Sequence, residues 1–220
     1  MTALLLVRHG QASWGAANYD VLSALGERQS RVVGEALAAR RVRPDVVVTG
    51  AMRRHRDTAR GAGDAAGWDC EVVEDDGWNE FDHRQMLALH PSGRPDGEEM
   101  TRAAFQAWFE QATLRWTGGE FAEEYDEPFA VFCARVEAAL RRTLERLDGR
   151  STAVVFTSGG PVSWVTTSLL GGGAELWTQL NPVTVNASVT KVVVGSRGCT
   201  LVSFNDHAHL EAQDGLLTYR

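Results

Sequence analysis

Apolar residues along the chain gather into short runs separated by longer stretches with a period near four, and the two patterns mark different elements. Ala3–Val7 is a continuous apolar run, the pattern of a strand buried on both faces. Leu25, Val32, Val33, Ala36 and Leu37 then fall on one helical stripe, with Ser23 placed to cap its N-terminus. Pro44 precedes a second short run, Val46–Thr49, and a helix from about Ala51 to Ala66 is expected after it. Cys70–Asp75 reads as a weaker third strand. Phe105, Phe109, Ala112 and Trp116 make an amphipathic stripe, and Phe129, Phe132, Val136, Leu140, Leu144 and Leu147 make the strongest one in the chain. The stretch TAVVFTSGGP, residues 152–161, reads as strand, turn and helix start. SVTKVVVG and TLVSF close the chain as two strands around a hairpin turn at Gly195–Gly198. HPSGRPDGEE and TGGEFAEEYDEP, between the helical stripes, read as loops.

Alternating strands and helices predict an α/β fold: a three-layer α/β/α sandwich with a mostly parallel sheet. The last hairpin supplies an antiparallel edge strand. Residues 78–126 break the alternation and are expected to form a small helical, lid-like insertion. No linker separates two units, so residues 1–220 are expected to form a single domain.

Composition narrows the function. The chain has 220 residues, 44% hydrophobic and 23% charged, ordinary values for a globular protein. Its formal net charge of -7 argues against nucleic-acid binding, which needs a clustered basic surface. The N-terminal apolar run is too short for a signal peptide, and no run approaches the length of a membrane span, so no membrane partner is expected. Cys70, Cys133 and Cys199 are widely spaced and odd in number, a pattern that fits neither a disulfide framework nor a structural zinc site. A reducing, cytoplasmic setting is expected.

Polar turns close three of the predicted strands. The first ends in Arg8-His9-Gly10, where the glycine is expected to let the backbone turn away. The second ends in Thr49-Gly50 and runs on into AMRRHRDTA. The third ends in Ser158-Gly159-Gly160-Pro161. In open α/β sheets the ligand crevice lies beyond the carboxyl ends of the strands, so these turns are expected to meet. Arg8, with Arg53 or Arg54, offers planar donors that match phosphate oxygens. Ser158, Gly159 and Gly160 offer a hydroxyl and close backbone N–H groups at a helix N-terminus, with Pro161 as a good first helical residue. Read singly, an Arg-His pair is a solvated strand end, a double glycine a tight turn and RRHR a solvated helix face; the conjunction makes an anion site. His55 is read as a helix-surface residue near the mouth. His207 and His209 lack companion carboxylates or cysteines, so no metal site is expected. Trp108, Trp116 and Phe109 are read as helix packing. Trp14 and Tyr19 either line a substrate pocket or pack against the lid.

These segments together resemble the histidine phosphatase superfamily, in its phosphoglycerate-mutase-like branch. LVRHG, residues 6–10, matches the signature of that family, followed by LSALGERQ at 22–29. TGAMRRHRDTA aligns with the segment carrying a second arginine, and its Thr58-Ala59 ending selects Arg54. DGWNEFDH, residues 76–83, resembles the segment carrying the acid, which gives that role to Glu80. NASVT at 186–190 and His209-Leu210 also sit where the family has similar residues. The resemblance implies phosphoryl transfer through a phosphohistidine on His9, with Glu80 as proton donor, Arg8 and Arg54 holding the phosphoryl oxygens, and no metal or other cofactor. The family carries a histidine where this chain has Ser158. His83, three residues after Glu80, is a candidate replacement if one helical turn places both on one face, and otherwise a lid-surface residue. Gly15 stands where mutases have an asparagine.

The reading is therefore a metal-independent phosphatase acting on a small-molecule phosphomonoester or a phosphoprotein, as a monomer or homodimer. The alternatives are a phosphoglycerate mutase, or a catalytically weak phosphate-binding protein because of Ser158.

Overall fold

The computed structural model describes residues 2–13, 20–90, 101–149 and 151–219, with the side chains of residues 102 and 103 also outside it. The readings for Trp14, Gly15, Tyr19 and residues 91–99 lie outside the described residues.

A six-stranded sheet forms the middle layer. Its strands are β1 (Thr2–Arg8), β2 (Val46–Thr49), β3 (Glu71–Glu74), β4 (Thr152–Thr157), β5 (Val189–Gly195) and β6 (Gly198–Asp206), in the order β3-β2-β4-β1-β5-β6. The first four run parallel, and β5 runs antiparallel to β1. β5 and β6 form the closing hairpin, with Gly195 paired to Gly198. This is the α/β architecture the patterning predicts.

The uninterrupted apolar runs have a plain physical reason: helices cover both faces of the strands. Leu4 and Leu6 of β1 pack into the cluster on one face, Leu5 and Val7 into the cluster on the other. Val46 and Val48 oppose Val47 in β2, and Ala153 and Val155 oppose Val154 and Phe156 in β4. β3 is the exposed edge and its pattern is correspondingly weak; Val72 is 64% exposed.

Helices α1 (Ala24–Ala39) and α2 (Arg53–Ala66) pack together on the second of these faces. The Ser23 hydroxyl caps α1 by accepting from the Gly26 N–H at 3.1 Å. On the first face lie α3 (His83–Ala88), α4 (Arg102–Gly118), α5 (Phe129–Glu145), α6 (Gly159–Leu169) and α7 (Ala174–Leu180). The short α3 and α7 carry too few turns to show a stripe in the sequence, as does α8 (Ala208–Glu211). An aromatic cluster binds residues 78–126 to the rest of this layer: Trp116 meets Phe129 of α5 edge-on at 5.0 Å, and Phe81 meets Trp177 of α7 edge-on at 5.7 Å.

Candidate active site

The sheet order makes β2, β4 and β1 neighbours, so their carboxyl ends open into one crevice. His9 follows β1 and is 5% exposed. Its backbone N–H donates to the Thr157 carbonyl at 2.8 Å, which extends the β1/β4 register by one step and sets His9 beside Ser158. The next residue is constrained by space, not by a left-handed turn. A Cβ on Gly10 would stand 2.4 Å from the Gly26 carbonyl oxygen, so the chain presses against the start of α1 there. The Gly10 N–H donates to Thr58 Oγ1 at 3.0 Å, and Asn186 Nδ2 donates to the His9 carbonyl at 3.1 Å.

Two contacts define the state of the His9 ring. Arg54 Nε, which can only donate, points at His9 Nε2 at 3.2 Å. Nε2 is therefore the unprotonated nitrogen, and Nδ1 donates its proton to the Gly10 carbonyl at 2.6 Å. Burial pushes the His9 pKa well below 6.5, and the charges of Arg54 and Arg8 push it further down, outweighing the hydrogen bond to Gly10. The ring is neutral, with a lone pair facing the crevice.

Arg54, not Arg53, enters the site; Arg53 points outward to Asp57. Asp20 holds Arg54 in place. Its Oδ1 lies 2.9 Å from Arg54 Nη1, and its Oδ2 accepts from the Arg53 backbone N–H at 2.7 Å, doing for α2 what an N-cap side chain does elsewhere. No local signal in the sequence points to Asp20, because its partners lie more than thirty residues on. Arg8 donates to the carbonyls of Thr184 and Tyr219.

Glu80 reaches the N-terminus of α6. Its Oε2 accepts from the Gly160 N–H at 3.2 Å, and a Cβ on Gly160 would stand 2.1 Å from Oε1, so only glycine leaves room for the carboxyl. That N–H, expected to face a phosphate, is thus engaged by the acid. Burial raises the Glu80 pKa above 4.5, with Arg54, the Gly160 N–H and Arg8 acting in the opposite direction.

Arg8, His9, Arg54, Glu80, His83 and Gly159 all line one cavity of about 320 Å³. Its outer wall is largely apolar, formed by Phe81, Phe105, Phe109, Leu114, Trp177 and Pro182. Phe109, expected only to pack, is part of this wall, whereas Trp116 is buried in the aromatic cluster as expected.

Three further expectations change. Ser158 is fully buried and its hydroxyl makes no cap bond to α6. His55 is not on the helix surface: it is 0% exposed, its Nε2 lies 2.7 Å from Ser158 Oγ, and its ring centroid is 5.7 Å from that of His9. Glu80 and His83 do not share a helical face, because α3 starts only at His83, with the Asp82 carboxylate capping it. His207 and His209 go separate ways, one to Glu211 and the other to the Ala187 carbonyl. Among the described residues no cluster of three or more histidines, cysteines or acids has metal-binding spacing, and no helix is long and apolar enough to cross a membrane.

Comparison with known proteins places this geometry. The chain is 37% identical over 115 residues to a 2,3-bisphosphoglycerate-dependent phosphoglycerate mutase of Corynebacterium efficiens, a match covering 48% of this chain and 44% of that protein. The chain spans about half the length of the curated relatives it matches. A phosphoserine phosphatase of Entamoeba histolytica superposes with a TM-score of 0.69 at 20% identity, over 96% of this chain and 100% of that one. A mycobacterial glucosyl-3-phosphoglycerate phosphatase superposes with a TM-score of 0.66 at 24% identity, over 94% and 99%. These structural likenesses establish a shared fold. The sequence profile of the histidine phosphatase superfamily (branch 1) matches residues 4–207, and the chain belongs to that superfamily.

Proposed function

We propose that the chain is a metal-independent phosphatase that hydrolyses a phosphomonoester through a phosphohistidine on His9. The observation that carries this reading is the state of the His9 ring, with its proton on Nδ1 held by Gly10 and its Nε2 lone pair beneath the Arg54 guanidinium. That nitrogen needs no base to activate it.

In this reading a phosphoryl group enters between Arg8 and Arg54, and its oxygens replace His9 Nε2 as the target of the Arg54 donor. The Nε2 lone pair attacks phosphorus as the bond to the ester oxygen breaks. Glu80, with its raised pKa, carries a proton and gives it to the departing oxygen. Water then attacks the phosphohistidine, Glu80 takes back the proton, and His9 returns to its neutral form with inorganic phosphate released. The two arginines neutralise the equatorial oxygens throughout, and such positioning and charge stabilisation supplies most of the catalysis in phosphoryl transfer.

Mutase activity is the second reading, favoured by the names of the curated relatives. A bisphosphoglycerate intermediate carries two phosphates and a carboxylate, and a mutase must hold it while it turns. Among the described residues, the cavity wall beyond Arg8 and Arg54 adds no lysine or arginine, and it includes Glu110. That wall suits the alcohol part of a monoester better. The test uses p-nitrophenyl phosphate, and 2- and 3-phosphoglycerate followed by phosphorus NMR, with His9→Ala alongside. Phosphate release that depends on His9 is expected. Interconversion of the phosphoglycerates without phosphate release overturns the phosphatase reading in favour of the mutase.

A further inference from the structure

His55 is a buried titratable side chain beside the nucleophile to which the reaction above gives no work. Its surroundings are built for an imidazole. Gly50, the first residue after β2, lies flat against the ring: a Cβ there would stand 2.2 Å from His55 Nδ1. The ring is 0% exposed, and a polar side chain so buried needs partners within the protein.

The hydrogen count around it is unusual. Neutral His55 carries one N–H and Ser158 one O–H, and a single bond joins them, from Nε2 to Oγ at 2.7 Å. His55 Nδ1 has no partner. Two polar hydrogens therefore share one hydrogen bond, and one of them is left without an acceptor in either tautomer. If the Ser158 hydroxyl donates, the spare hydrogen is on Nδ1, which lies against Gly50 and makes no hydrogen bond. If Nε2 donates, the spare hydrogen is on Ser158 Oγ. Ser158 is the next residue in register beside His9, since Arg8 pairs with Thr157 and the two strands run parallel. A buried donor without an acceptor is rare in proteins and calls for an explanation, and this one stands in register beside the nucleophile.

We propose that His55 is a positioning residue for phosphoryl transfer: its Nε2–H donates to Ser158 Oγ, so that the Ser158 hydroxyl proton is directed at an oxygen of the phosphoryl group on His9. The arrival of the phosphoryl oxygen selects this tautomer because it supplies the missing acceptor. Ser158 thereby gains a polarised hydroxyl, and the imidazole that steadies it comes from α2, not from α3, where His83 had been the expected helper. No proton changes owner in this arrangement.

The inference rests on the phosphohistidine reading and is tested by separate variants. Single-turnover phosphorylation of His9 by p-nitrophenyl phosphate is followed through the burst of p-nitrophenolate, with orthovanadate inhibition and melting temperature measured on the same preparations. Ser158→Ala is expected to slow phosphorylation by about tenfold to a hundredfold, below the loss typical of a full oxyanion-hole donor, with a smaller change in KM. His55→Ala is expected to slow it comparably, and the double variant to be no slower than the worse single one, because both act through one hydrogen bond. His55→Gln, whose amide can still donate from near the Nε2 position, recovers most of the rate. Wild-type phosphorylation in Ser158→Ala overturns the proposal. So do losses that multiply in the double variant, or a His55→Ala defect confined to the melting temperature. Should His55→Ala fail to fold, Ser158→Ala and His55→Gln decide the matter. Turnover retained in His9→Ala would instead sink the underlying phosphohistidine reading.

Discussion

At the scale of residues, the site works by pushing two pKa values in opposite directions. His9 is driven down by burial and by Arg54 and Arg8, so it stays neutral to a lower pH than a free imidazole. Glu80 is driven up by burial, so it keeps its proton to a higher pH than a free carboxyl. The nucleophile must be neutral and the acid protonated, and the two opposite shifts both favour that pair of states. Activity is expected to fall on the acid side only below 6.5, as His9 takes a proton, and on the alkaline side as Glu80 loses one at a pH above 4.5. Glu80→Gln removes the alkaline limb. It is expected to cost roughly 10²–10⁴-fold in kcat with an alkyl phosphate, and much less with p-nitrophenyl phosphate, whose leaving group needs no proton. A pH–rate profile of kcat on both substrates checks this. An equal loss on the two would remove Glu80 from the acid role. His9 is legible in the sequence because it follows the strongly patterned β1, whereas Glu80, beyond the weakly patterned β3, is picked out only by the resemblance of DGWNEFDH to the family's acid-bearing segment. Their protonation states are not legible there, because those depend on Arg54 and Gly160, which fold in from other parts of the chain.

At the scale of elements, α2 carries the most chemistry and gives the weakest pattern. Arg54, His55 and Thr58 share its buried side with Ala59 and Ala62, so the face that packs is mostly polar. The helix predicted after β2 starts within two residues of the expected position, but its charged run RRHR reads as a solvated face, which is why His55 reads as a surface histidine. A buried polar face needs partners from elsewhere, and these are the parts that local reading misses: Ser158 for His55, Asp20 for Arg54. Asp20 does two jobs at the N-terminus of α2, capping it and steering the Arg54 guanidinium. Asp20→Ala is expected to cost about 1 kcal/mol of stability, the worth of a helix cap, seen as a lower urea midpoint with an unchanged slope. The same variant is expected to raise the orthovanadate inhibition constant several-fold, because Arg54 loses its anchor. Asp20→Asn should keep most of the cap and lose the steering. If both variants bind vanadate like the wild type, Asp20 serves the helix alone.

At the scale of the whole molecule, the sheet order makes the site. With β4 between β1 and β2, three strand ends far apart in sequence become neighbours, and the rule that ligands bind beyond the carboxyl ends of parallel strands makes this convergence legible in advance. The closure of the site from behind is not legible, because it runs through backbone carbonyls, which carry no sequence signal. The segment after α8 returns to the crevice: Leu216 is fully buried in the α1/α2 layer, Gln29 Nε2 donates to the Leu216 carbonyl at 2.7 Å, and the Tyr219 carbonyl accepts from Arg8 at 2.8 Å. Leu216 thus anchors the strand of chain that holds one of the two phosphate-binding arginines. Leu216→Ala is expected to lower stability by about 2–5 kcal/mol, as for any large buried aliphatic side chain, and also to raise KM several-fold as Arg8 loses the Tyr219 carbonyl. Leu37→Ala, in the same layer at 1% exposure, supplies the control. It should destabilise to a similar degree and leave KM alone, since nothing from Leu37 reaches Arg8. Urea unfolding and steady-state kinetics on the two variants, taken well below the melting temperature of either, separate the effects. An equal change of KM in both would mean that the tail acts only through general stability.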